Sequence, residues 1–270
     1  MSTKVFSPEE IVNQTLNSSV KKVEKSFLTS LLLGILAGSF IGLGALFYTV
    51  VKADQTYSFA TKQILGGFVF SLGLILVIIA GAELFTGNNL IAIAWAEKKV
   101  STKQMMRNWG IIFFSNMIGA ISLAVMVYFS GHLDMNNGAI AETYLKMADA
   151  KCNLPFMTAF FRGILCNILV CLGVWMAMGG KTITDKILAI VFPITLFVAA
   201  GFEHSIANLF IIPLGLLIKT FSDIQITTSF LSISGMIKNL IPVILGNIIG
   251  GSVFIGLMYH LIFLNNKKTA

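Results

Sequence analysis

Between Gln63 and Ala96 the chain runs for 34 residues with one charged side chain, Glu83. Five further stretches, roughly 27–51, 108–131, 154–179, 187–218 and 235–264, are almost as apolar. Each can cross a hydrocarbon core of about 30 Å as a helix of about 20 residues. With 56% of its 270 residues hydrophobic and only 11% charged, the chain reads as an all-α membrane protein with six transmembrane helices. Barrel strands would be shorter and alternating, which excludes that class.

In such a chain the net charge of +7 reports orientation rather than affinity for nucleic acid. Twelve basic residues fall on one side: Lys4, Lys21, Lys22, Lys25, Lys98, Lys99, Lys103, Arg107, Lys181, Lys186, Lys267 and Lys268. The opposite loops hold six (Lys52, Lys62, Lys146, Lys151, Lys219, Lys238), with Arg162 near the start of span four. The bias predicts both termini in the cytoplasm, and an even number of spans agrees. The division is then 1–26 as a cytoplasmic amphipathic segment, 27–264 as the six-span domain and 265–270 as a cytoplasmic tail. The first apolar run is too long for a signal-peptide core and lacks a cleavage site, so the N-terminus is expected to stay. Ser7-Pro8-Glu9-Glu10 reads as a helix start. Val12, Leu16, Val20, Val23 and Phe27 then recur on one face, predicting a surface helix that anchors the chain, or else a plug for a pore. Cys152, Cys166 and Cys171 have no metal or disulfide spacing and read as small packing residues. No metal or nucleotide motif appears, so neither metal nor cofactor is expected.

Spans two and five are too long, since 34 and 32 residues at 1.5 Å each would make straight helices of about 50 Å. Both carry ionisable residues near the middle, which points to broken helices. The two centres match: "GAELFTGNN" at 81–89 and "GFEHSIANL" at 201–209 share G-x-E-x-x-x-x-N. "GIL" at 34–36 returns at 163–165 and "LG" at 43–44 at 172–173, while Asn108, Asn116 and Gly119 return as Asn239, Asn247 and Gly250. Residues 27–131 therefore repeat as 154–264. Three spans per half put the copies in opposite orientation, giving two inverted three-helix repeats with the breaks of spans two and five at one depth. Interrupted backbone at that depth is tolerated when it is buried or lines a cavity, so the pattern marks a transport path. The protomer is aquaporin-like in this respect, although the paired Asn-Pro-Ala of water channels is absent.

Thr86 and Ser205 stand near the starts of two half-helices, whose positive ends attract anions. Glu83 and Glu203, with Asn88 and Asn208, are expected to hold the breaks together, the carboxylates accepting from loop N–H groups. His204 has no twin, because Leu84 holds the matching position. Imidazole titrates near neutral pH, so His204 is the candidate to donate or share a proton with a weak-acid anion. Phe70, Leu74, Leu84, Phe85 and Phe197 supply apolar bulk for a constriction.

At these residues the sequence resembles the formate/nitrite transporter family over essentially its whole length. "GAELFTGN" is similar to the family's loop in span two, "RNWG" to text before span three, and "GILCNILVCLGVWMA" to span four. "FVAAGFEHSIANLFIIPLG" resembles span five with its histidine. The resemblance implies a homopentamer with a separate pore in each protomer, in a bacterial inner membrane. It makes His204 the pore histidine, Thr86 its hydrogen-bonding neighbour, Asn167 a polar pore residue and Lys151 an outer basic residue that draws anions in. Leu74 and Phe197 match constriction residues. The expected function is a channel for small monovalent weak-acid anions with proton-coupled passage, formate first, nitrite and hydrosulfide as alternatives. A neutral-solute facilitator fits the histidine poorly. An intramembrane hydrolase built on Glu203, His204 and Ser205 fails on geometry, because successive helical residues point about 100° apart.

Overall fold

The computed structural model describes residues 5–224 and 226–264, so the expected cytoplasmic tail 265–270, like Lys4, lies outside the described residues. The expected spans are helical. Span one is Phe27–Ala53, span three Thr102–Phe129, span four Phe156–Gly179 and span six Ile233–Phe263, and these, with Phe59–Gly81, are long and apolar enough to cross a membrane. Both overlong stretches are interrupted. The second runs as Phe59–Gly81, stops, and resumes over 85–96; the fifth runs as Ile183–Ala199 and Ser205–Phe221.

Local chemistry sets the ends. Ser7 and Glu10 form a reciprocal cap at the start of the N-terminal helix Pro8–Glu24, as do Ser101 with Gln104 and Thr182 with Asp185 on spans three and five, each satisfying donors that a helix start leaves free. The N-terminal helix stops at Glu24, and Phe27 is the first residue of span one and largely exposed, so it does not share the expected apolar face. The buried face is Ile11, Val12, Thr15, Leu16 and Ser19. Thr15 Oγ1 lies 3.1 Å from Met178 Sδ, so this helix rests on the end of span four as well as on any lipid surface. A further helix, Ala139–Cys152, occupies what the sequence reads as loop; Ile140, Ala141, Tyr144, Leu145 and Ala148 bury one side of it.

Gly34, Gly38 and Gly42 line one side of span one and pack inside the chain. A Cβ on Gly38 would stand 2.0 Å from Asn116 O of span three, and one on Gly119 would stand 1.9 Å from Ile35 O. The repeat partner behaves alike, since a Cβ on Gly250 would lie 2.3 Å from Ile164 O. Backbone-to-backbone contact thus fixes span one on span three and span four on span six. Gly119→Ala is expected to destabilise the protein by about 2 kcal/mol or more through overpacking. Gly110→Ala in the same helix, with nothing within 4 Å of its Cβ, is expected to be neutral or slightly stabilising. Thermal unfolding of both purified variants tests this, and equal midpoints would refute the contact.

Candidate functional site

Each break begins at a glycine in the left-handed region, Gly81 at φ +84° and Gly201 at φ +71°, a conformation that costs other residues about 1–2 kcal/mol. The following N–H groups, of Ala82 and Phe202, reach back to Val77 O at 2.9 Å and Phe197 O at 3.0 Å, closing the helix ends in the Schellman manner. The chain then extends for a few residues, and its freed backbone groups need partners. Two asparagines supply them. Asn116 Oδ1 accepts from Phe85 N at 2.9 Å, while its Nδ2 donates to Glu83 O at 2.9 Å and Gly34 O at 2.8 Å. Asn247 accepts from Ser205 N at 3.0 Å and donates to Glu203 O at 3.0 Å and Gly163 O at 2.9 Å. The loop N–H groups therefore do not go to the carboxylates, as the sequence suggested; Glu83 N and Glu203 N pair with Leu33 O and Arg162 O instead.

The carboxylates make a second set of ties. Glu83 Oε2 accepts from Asn88 Nδ2 at 2.8 Å and Lys22 Nζ at 3.0 Å, and Oε1 from Lys25 Nζ. Glu203 accepts from Asn208 Nδ2 at 2.7 Å and Lys151 Nζ at 2.9 Å. Asn88 Nδ2 reaches Asn108 Oδ1 at 2.9 Å, and Asn208 Nδ2 reaches Asn239 Oδ1 at 2.7 Å. Asn108 and Asn239 in turn donate to the backbone carbonyls of Lys22 and Lys151, at 3.4 Å and 2.9 Å. Lys22 is thus the counterpart of Lys151. Sequence reasoning singled out only Lys151, although the offset of 129 that carries "GIL" at 34–36 to 163–165 also carries Lys22 to Lys151. Lys151 is accordingly no free loop charge: it sits in the last turn of Ala139–Cys152 and is paired with a nearly buried carboxylate.

The two ends differ. Glu83 faces two ammoniums and Glu203 one. A cavity of about 420 Å³ beside the first break is lined by Lys21, Lys22, Lys25, Lys186 and Glu83, so that end is strongly basic.

Between the breaks lies His204. Its Nδ1 accepts from Ala207 N at 3.2 Å, capping its own half-helix, and its Nε2 lies 3.0 Å from Thr86 Oγ1. A ring that accepts at Nδ1 and is neutral carries its proton on Nε2, which then points at Thr86. A second proton on Nδ1 would break the cap and set positive charge at the positive end of Ser205–Phe221. The ring of Phe197 lies along that of His204, centroids 6.0 Å apart, and meets Phe70 edge-on at 5.6 Å. Leu74 and Leu84 are also buried. Phe85 is buried too, and its ring meets that of Phe113 of span three at 5.2 Å. Asn167 is fully buried, and its Nδ2 donates to Asn247 O at 2.6 Å, Asn89 Oδ1 at 2.7 Å and Thr86 O at 3.2 Å. It ties span four to the chain after the first break and to span six, and Asn89 is a participant the sequence reading did not name. Cys171 Sγ also contacts Thr86 O, at 3.4 Å.

Interrupted apolar helices, clamped by lysine-paired carboxylates around an uncharged polar pair, define an integral membrane transport protein. The formate/nitrite transporter profile matches residues 9–261, and this chain belongs to that family. It is 39% identical over 267 residues to formate channel FocA of Haemophilus influenzae, covering 95% of this chain and 94% of that one. To the Escherichia coli K12 protein of the same name it is 38% identical over 271 residues, covering 96% and 95%. Among solved structures, a pentameric formate channel with formate bound superposes with a TM-score of 0.83 at 40% identity, covering 88% of this chain and 98% of that one.

Because Lys151 pairs with a buried carboxylate, Lys151→Ala is expected to cost about 3–5 kcal/mol by stranding that charge. Adding Glu203→Gln should recover much of the loss. Thermal unfolding of the single and double variants measures this, and a double variant no more stable than the single would refute the pairing as the source.

Proposed function

We propose that the chain is a channel for small monovalent anions of weak acids, formate first, and that passage at His204 is coupled to protonation of the anion. The observation that carries the reading is the His204 Nε2 to Thr86 Oγ1 contact at 3.0 Å, set in an apolar waist between two lysine-bearing clamps. At the first end, the ammoniums of Lys21, Lys22, Lys25 and Lys186 raise local anion concentration. At the second, Lys151 Nζ makes one hydrogen bond among the described residues, leaving donors for an anion while Glu203 stays paired. The family profile names nitrite beside formate, so nitrite is the alternative substrate. The pentameric solved relative supports a homopentamer. The lysines gathered at the first break support an inner-membrane orientation with both termini in the cytoplasm.

Carrying a bare carboxylate past Phe70, Leu74 and Phe197 costs several kcal/mol even after relaxation, and the neutral acid avoids most of it. In this mechanism the anion meets Nε2–H and the Thr86 hydroxyl, is joined by a proton supplied through water, and leaves as a monoanion on the far side. His204 is a donor that stays neutral.

Formate uptake by proteoliposomes separates these roles. His204→Leu removes the donor and should lower uptake by about 10²-fold, the order found for loss of one preorganised donor. His204→Asn keeps an N–H of similar reach and should still take up formate faster as external pH falls. A flat pH profile in correctly assembled His204→Asn protein would return the titrating role to the imidazole.

A further inference from the structure

The end of the molecule that carries the second break holds a basic cavity with no part in the pore described above. It has a volume of about 500 Å³ and lies between the end of span one, the start of span two and the helix Ala139–Cys152. Lys52, Lys62 and Lys146 line it, with Glu142 the one carboxylate among its lining residues. Lys146 Nζ pairs with Glu142 Oε2 at 3.0 Å. The other two ammoniums rest on amide oxygens, Lys52 on Gln63 Oε1 at 2.6 Å and Lys62 on Gln55 Oε1 at 3.3 Å. Amides orient them without cancelling their charge. Asp54 is close enough for its charge to be felt by Lys62, but its Oδ1 already accepts from Thr56 N and Oγ1, each at 2.7 Å. Three ammoniums against one carboxylate give the lining a formal charge of +2, with the Asp54 carboxylate standing outside it.

The cavity is tied to the break. Gln63, which holds Lys52, donates its Nε2 to Ala199 O at 2.6 Å, the last residue of the half-helix before the second break. Lys52 Nζ also sits 5.9 Å from the centre of the Tyr48 ring.

We propose that this cavity binds a small divalent oxyanion of the sulfate class and that its occupancy slows anion passage. Two charges match the local excess, and ammoniums supply rotatable donors to a tetrahedral or planar oxyanion without demanding one fixed fork. A dianion held there cannot follow a monoanion through the waist, because neutralising it takes two protons instead of one. It also competes with Gln63 for Lys52, and so loosens the tie to Ala199. The effect on flux rests on the channel reading; the binding does not.

The test uses purified full-length protein with sodium sulfate added at constant ionic strength. Sulfate stabilises proteins generally by exclusion, an effect that grows without saturating, whereas a bound ion raises the thermal midpoint along a saturation curve. The expected result is saturation at millimolar sulfate in the parent, a shift to about tenfold higher sulfate in Lys62→Gln, and recovery in Lys62→Arg, as loss and return of one charged contact require. In proteoliposomes, external sulfate should inhibit formate uptake by the parent at lower concentration than by Lys62→Gln. Coincident sulfate curves for parent and Lys62→Gln would overturn the site. Saturable binding beside uninhibited formate uptake would overturn the proposed effect on flux. Saturable, Lys62-dependent binding in a protein that conducts no formate would uphold the site and count against the channel reading alone.

Discussion

A helix broken inside hydrocarbon exposes backbone N–H and C=O groups that no lipid can satisfy, each at a cost of several kcal/mol. Everything else in this protein depends on how that cost is met. Asn116 and Asn247, one on span three and one on span six, each bond the extended loop of a break, the first residue of the half-helix after it and a carbonyl of span one or four. They reach only because Gly119 and Gly250, three residues on, let the same helices meet backbone to backbone. Close packing and polar satisfaction are thus one device, used twice.

The carboxylates add charge to that frame. Glu83 and Glu203 are each almost fully buried, which is tolerable only with paired cations and further donors. Those cations come from outside the spans: Lys22 from the N-terminal helix and Lys151 from Ala139–Cys152. The pore ends therefore recruit positive charge while the waist stays uncharged. In the proposed mechanism an anion is drawn to either mouth, and the apolar rings between favour the neutral species. His204 Nδ1 accepts from Ala207 N and so caps the half-helix after the second break.

The breaks were legible because G-x-E-x-x-x-x-N appears twice at the middle of overlong apolar runs. Asn116 and Asn247 were visible as repeat markers, but their role was not, since it joins residues more than 30 positions apart. The helix Ala139–Cys152 passed as a loop because it is short and carries charge; its apolar positions 140, 141, 144, 145 and 148 do follow a helical period. Phe85 was grouped with the constriction by composition, which could not show that its ring also meets Phe113 of span three. The ion pairs were hidden for a similar reason, because only the fold brings a surface lysine to a carboxylate in mid-span.

The claim on which the transport account turns is that the histidine between the breaks works as a neutral donor with its proton on Nε2. The chain has three histidines, so 15N-histidine labelling of His132→Gln/His260→Gln protein isolates His204. Solid-state NMR in lipid, recorded across the pH range in which that protein takes up formate, reads the tautomer directly. The account predicts one neutral, Nε2-protonated ring throughout. A doubly protonated ring under conditions of formate uptake would contradict it.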